Sequence, residues 1–156
     1  MEDNSDKVMV ALLRIVSDWS QIDFPHLTLA YAGRTADLST SDLDGLSKAT
    51  MSIAMLCNPV TLRMLTKDIF GQGTEDSPKV DVLRFHPNLP LTKMRSLVSD
   101  WDVSKFAFQP HMVIGPAGTW NGVSPIMVAF DRVAFCVGND RQEFRMSTDL
   151  SGARYE

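Results

Sequence analysis

Two cysteines and three histidines are all the thiol and imidazole groups that this chain of 156 residues offers. Cys57 ends an apolar helical stretch and Cys136 lies in the apolar run at 133–137. Those settings fit reduced core residues better than a disulfide framework or a metal cluster, so neither a metal nor another cofactor is expected. Basic residues are also few: 15 Lys+Arg against 19 Asp+Glu give a net charge of −4, with no dense basic run. Binding to duplex DNA, which rests on many phosphate contacts, is thereby excluded, while a small phosphorylated ligand in a locally positive cleft is not. No segment approaches the roughly 20 apolar residues of a membrane span, so no membrane partner is expected. The acidic opening residues lack the basic start of a secretion signal, and a cytoplasmic protein is the expectation. Nothing in the composition sets the oligomeric state.

With 44% hydrophobic residues, the chain reads as one domain, 1–156, able to bury roughly two-thirds of its unfolded surface. The apolar run at 8–13 predicts a buried strand, and 26–32 a second one ended by Gly33. Capping residues at 38–42 precede Leu43, Leu46, Ile53 and Leu56 at near-helical spacing, a helix closed by Asn58 and Pro59. Residues 60–70 and 80–85 read as antiparallel strands around a Gly-rich loop at 71–78. After Pro87 and Pro90, Leu91, Met94, Leu97, Val98 and Trp101 follow one helical face. Three short strands are expected at 126–130, 132–137 and 142–146. The fold class is α+β, with two principal helices and mainly antiparallel strands.

Two segments stand out from this background: Pro25-His26-Leu27-Thr28-Leu29 and Pro110-His111-Met112-Val113-Ile114. Each places one histidine on an otherwise apolar strand. Alternation sets His26 with Thr28, and His111 with Val113, on the face opposite the apolar partners. Imidazole titrates near neutral pH, so two of them brought into one cleft form an acid/base pair. His86, before Pro87 at a strand end, reads as a structural or surface residue. By the same alternation, Tyr31 points away from His26 into the core.

These motifs resemble those of the two-histidine (2H) phosphoesterases, marked by two well-separated His-x-Thr/Ser strands in the LigT-like fold. Phe108-Gln109-Pro110-His111 is similar to the Phe-x-Pro-His opening of the second motif, and the late pattern Phe130-Asp131-Arg132-Val133 followed by Gln142-Glu143-Phe144 is similar as well. Compact phage-encoded members look especially similar, which would place the protein in a host cytoplasm. The resemblance implies a two-lobed molecule with a central cleft. It implies a metal-independent phosphodiesterase for a small nucleotide, a cyclic oligonucleotide or an RNA end, acting on 2′,3′-cyclic, 2′-5′ or cyclic oligonucleotide linkages. His26 and His111 would be catalytic, and Thr28 would hold a phosphoryl oxygen.

The chain departs from that pattern at Val113, where the family has Thr or Ser. Valine keeps the shape and loses the hydroxyl. Either another group replaces that donor, with Gln109 and Thr119 as candidates, or the protein binds a nucleotide in the same cleft without efficient turnover. Trp120 and Phe24 are candidate substrate-binding rings that could stack on a base. Arg34 reads as a solvated surface residue.

Overall fold

A computed structural model of the chain describes residues 6–15, 26–75, 77–104, 106–120 and 126–147. In chain order the elements are β1 (Lys7–Arg14), β2 (His26–Arg34), α1 (Thr40–Leu56), β3 (Val60–Phe70), β4 (Val80–Phe85), α2 (Leu89–Ser96), β5 (His111–Pro116), β6 (Met127–Val137) and β7 (Asp140–Arg145). The apolar run of β1 is buried from Val8 onward because the strand lies between β2 and β6. α1 starts where its sequence predicts: the Ser39 hydroxyl accepts from the Asp42 amide at 3.0 Å, and the Asp42 carboxylate accepts from the Ser39 amide at 2.9 Å. α2 is shorter than its apolar spacing suggests. Pro90 sits in its first turn, Leu97 caps its end, and Trp101 lies on a separate 3-10 turn, Ser99–Trp101.

Every strand pairing is antiparallel, in the order β1-β2-β5-β4-β3-β6-β7. β6 is one strand where two were expected. It pairs with β3 through residues 127–130 and with β1 through 130–137, with a bulge at Asp131 between the two stretches. The six strands other than β7 therefore form a closed circuit. Its ladders fall into two groups, β1, β2, β6, β7 and β3, β4, β5. One four-residue ladder between β3 and β6, and the single pair Leu27–Met112 between β2 and β5, join them.

Both helices bury their apolar faces against one side of this sheet. Leu46 and Ile53 of α1 and Leu91 and Met94 of α2 share a core with Leu27, Leu29, Met112, Phe85 and Phe130. The opposite side carries a smaller apolar cluster, Met9, Leu13, Ala134 and Cys136. One hairpin needs a glycine. Gly71 has φ +108°, and a Cβ there would lie 2.1 Å from the Pro78 carbonyl oxygen, so no side chain fits where β3 turns toward β4. Among the described residues, no helix is long and apolar enough to cross a membrane.

Candidate active site

His26 opens β2 and His111 opens β5, and these strands are neighbours. Leu27 and Met112, the pair that joins them, are fully buried in the helix-covered core. Alternation turns His26, Thr28, His111 and Val113 to the other face, where all four are half-buried. Carrying the antiparallel register one residue either way sets Thr28 opposite His111 and Val113 opposite His26. The imidazoles are thus diagonal neighbours, a relation that spans about 7–8 Å in a regular ladder. Remote parts of the sequence meet on one face.

The rows continue across β4, β3, β1 and β6. Beside His111 lies Arg84, and beyond it Thr66; beside Val113 lie Val82 and Asp68. On the far side of His26 come Leu13 and Arg132. Phe70, from β3, reaches across β4 to set its ring edge-on to His111, with centroids 4.8 Å apart.

The His111 ring is held by its own backbone neighbourhood. Nδ1 lies 2.7 Å from the Gln109 carbonyl oxygen, which can only accept, so Nδ1 carries hydrogen and the neutral ring presents Nε2 as an acceptor. Burial lowers the His111 pKa below the ordinary imidazole value. The Gln109 carbonyl pulls it up and the Arg84 guanidinium pushes it down, and the net direction is down. The Thr28 hydroxyl donates to the Met9 sulfur at 3.7 Å, a weak acceptor that leaves it easily redirected.

Alternation along β2 fails at Leu29, and that failure adds a residue to the site. The register with β1 skips Leu29, a bulge that leaves Leu29 and Ala30 both facing the core. Tyr31 is thereby returned to the His26–Thr28 face, opposite Met9, correcting the expectation that it points into the core. The Leu29 carbonyl accepts from the Arg95 guanidinium of α2. Arg95 is itself fixed by Asp102 at 2.5 Å and stacks over Phe108 at 4.8 Å.

The other candidates divide differently. Gln109 contributes its main-chain carbonyl, while its side chain is exposed. The Thr119 hydroxyl donates to the Pro116 carbonyl at 2.6 Å and so closes its own turn. Trp120 packs against the helix-side core, and its amide donates to the buried Asp81 carboxylate at 3.1 Å. Asp81 alternates with Val82 and Arg84, so this loop is drawn to the face away from the histidines. Phe24 lies outside the described residues. Arg34 pairs with Asp6 at 3.6 Å on the surface, and His86 is exposed. Cys57 and Cys136 are free and buried, and burial pushes the Cys136 thiol up to about 11. Among the described residues, no three His, Cys, Asp or Glu side chains converge as a metal-binding group.

Arg84 and Tyr31 are the residues that sequence reading missed. Arg84 could have been found from alternation in a strand ending Val82-Leu83-Arg84-Phe85, had the neighbour of that strand been known. Tyr31 depends on a bulge with no local signature.

No family model matches the sequence, and no curated protein matches it. Solved structures do. Kluyveromyces marxianus Usb1 is similar at a TM-score of 0.61 and 10% identity, over 92% of this chain and 99% of that one. TT0787 of Thermus thermophilus gives 0.57 and 13%, over 91% and 100%. E. coli LigT in its apo form gives 0.55 and 13%, over 91% and 95%, and a LigT structure complexed with ATP gives 0.52 and 15% over the same shares. The chain has the α+β fold of these structures, the LigT-like fold.

Proposed function

We propose that this chain is a metal-independent phosphodiesterase that cleaves a phosphodiester next to a ribose hydroxyl in a small nucleotide, a cyclic oligonucleotide or an RNA end. The observation that carries the reading is the meeting of His26, His111 and Thr28 on one face of neighbouring strands. His111 is the base. Its Nδ1 is committed to the Gln109 carbonyl, and its Nε2 lone pair takes the proton of the attacking water or ribose hydroxyl. A new P–O bond forms, the bond to the leaving oxygen breaks, and protonated His26 gives that oxygen its proton. The Thr28 hydroxyl, held among the described residues by a thioether, turns to a phosphoryl oxygen as charge builds there. That E. coli LigT is found complexed with ATP supports a nucleotide in such a cleft.

The test is a panel of 2′,3′-cyclic, 2′-5′-linked and cyclic oligonucleotide substrates, followed by mass spectrometry in EDTA. At least one should be turned over, with His26→Ala and His111→Ala each losing about 100- to 10,000-fold. Wild-type rates in either variant would refute the acid/base pair. Val113 favours a second reading, a nucleotide-binding protein without efficient turnover. Calorimetry that finds tight binding and recovers intact ligand after long incubation would select it.

A further inference from the structure

We propose that Arg84 binds the phosphoryl group in this cleft and stands in for the hydroxyl that Val113 lacks. The inference rests on the phosphodiester reading above. Arg84 lies directly across from His111 on β4, while the register sets Thr28 on the other side of the same imidazole. Its side chain is 29% exposed. Among the described residues its one polar contact is with Asp68, Nη1 to Oδ2 at 3.5 Å, too long for a strong hydrogen bond. A guanidinium presents five donors, so most of those on Arg84 await a partner.

Arg132, on the same face, shows what a committed arginine looks like. Its guanidinium donates to Glu143 at 2.8 Å, to Asp131 at 3.3 Å and to the Arg14 carbonyl at 3.0 Å. Arg84 has nothing comparable, and the residue paired with it across β5 is an imidazole that becomes a like charge on protonation. A half-buried cation in that position is satisfied by an anion that enters the cleft, and a phosphodiester brings one negative charge with two free oxygens. The Val113 side of the pair supplies no donor: its cross-strand neighbour on β4 is the fully buried Val82. The long, flexible stem of Arg84 can bring a planar fork of donors from the adjacent row, and Asp68 holds it there.

Adenosine 3′-monophosphate serves as the probe, titrated calorimetrically into the wild type, Arg84→Gln, Arg84→Lys, and Val113→Thr in both the wild-type and Arg84→Gln backgrounds. Thermal unfolding of each variant checks that the fold holds. Arg84→Gln should weaken binding by about 10- to 100-fold. Arg84→Lys should recover part of the loss, and Val113→Thr should gain more in the Arg84→Gln background than in the wild type. Wild-type affinity in Arg84→Gln, with binding lost in His111→Ala, would overturn the role of Arg84 and leave the cleft reading standing. Lysine no better than glutamine, with no gain from Val113→Thr, would also overturn it. Failure of the wild type to bind the monophosphate would sink both.

Discussion

At the scale of single residues, a bond to a carbonyl decides what His111 can do. The neutral tautomer that offers Nε2 is the one a base requires, and burial with the nearby Arg84 favours that neutral form. The sign follows directly. A folded-state pKa below the ordinary imidazole value of 6.5 means that the base becomes competent as pH rises through that lower value, so the rising limb of kcat/KM should have its midpoint below pH 6.5. The charged or titratable groups facing this ring are Arg84 from β4, Asp68 through its contact with Arg84, and His26 from β2. Arg84→Gln removes the cation and should move the rising limb to higher pH. Rate profiles measured over about pH 5 to 8 at constant ionic strength check this, and an unmoved limb would separate the titration from His111. Both motif histidines, and the missing hydroxyl at Val113, were visible in the sequence because they form one short recurring pattern. Arg84 was not, since nothing local says which strand becomes the neighbour of His111.

At the scale of elements, the informative feature is the bulge in β2. A strand with strict alternation would have buried Tyr31, but the extra residue at Leu29 reverses its facing. The freed Leu29 carbonyl must find a donor, and Arg95 from α2 supplies it. Asp102 neutralises that guanidinium, with both side chains mostly buried. Arg95→Ala should therefore cost about 2–4 kcal/mol, because it strands a carbonyl and a carboxylate together. Urea unfolding measures the loss, and Tyr31 fluorescence or ring NMR should report its displacement from the histidine face. The start of α1 gives a smaller effect: Ser39→Ala removes half of a reciprocal cap and should cost about 1 kcal/mol. Helix starts were legible because caps are local chemistry. The extent of α2 and the unity of β6 were not, since the first ends by tertiary packing and the second continues through a bulge that only its partners, β3 and β1, reveal.

For the whole molecule, the loop that follows β5 is held by one buried carboxylate. Asp81 is fully buried, accepts from the amides of Gly118 and Trp120 at 3.1 Å each, and pairs with Lys67 at 3.5 Å. Burial alone would raise its pKa, but the two amides and the ammonium outweigh it and hold the group below the usual carboxylate range. A carboxylate depressed in the folded state stabilises fully above its unfolded pKa of about 3.9, and that contribution is lost as pH falls through the lower folded value. Asp81→Asn should thus lower stability by about 1–3 kcal/mol at neutral pH, with the difference from wild type shrinking below about pH 4. Thermal unfolding of the two proteins across that range gives the answer.

The sequence by itself determined the element types, the two apolar helix faces and the pair of histidine strands, because strand alternation, helix caps and apolar periodicity act over a few residues. The tertiary structure decided which strands became neighbours, that a bulge would return Tyr31 to the site, and that the loop bearing Trp120 would fold to the other side of β4. Those outcomes depend on how separate segments satisfy one another's buried polar groups, Leu29 through Arg95 and the amides of Gly118 and Trp120 through Asp81, and no local stretch of chain carries that information.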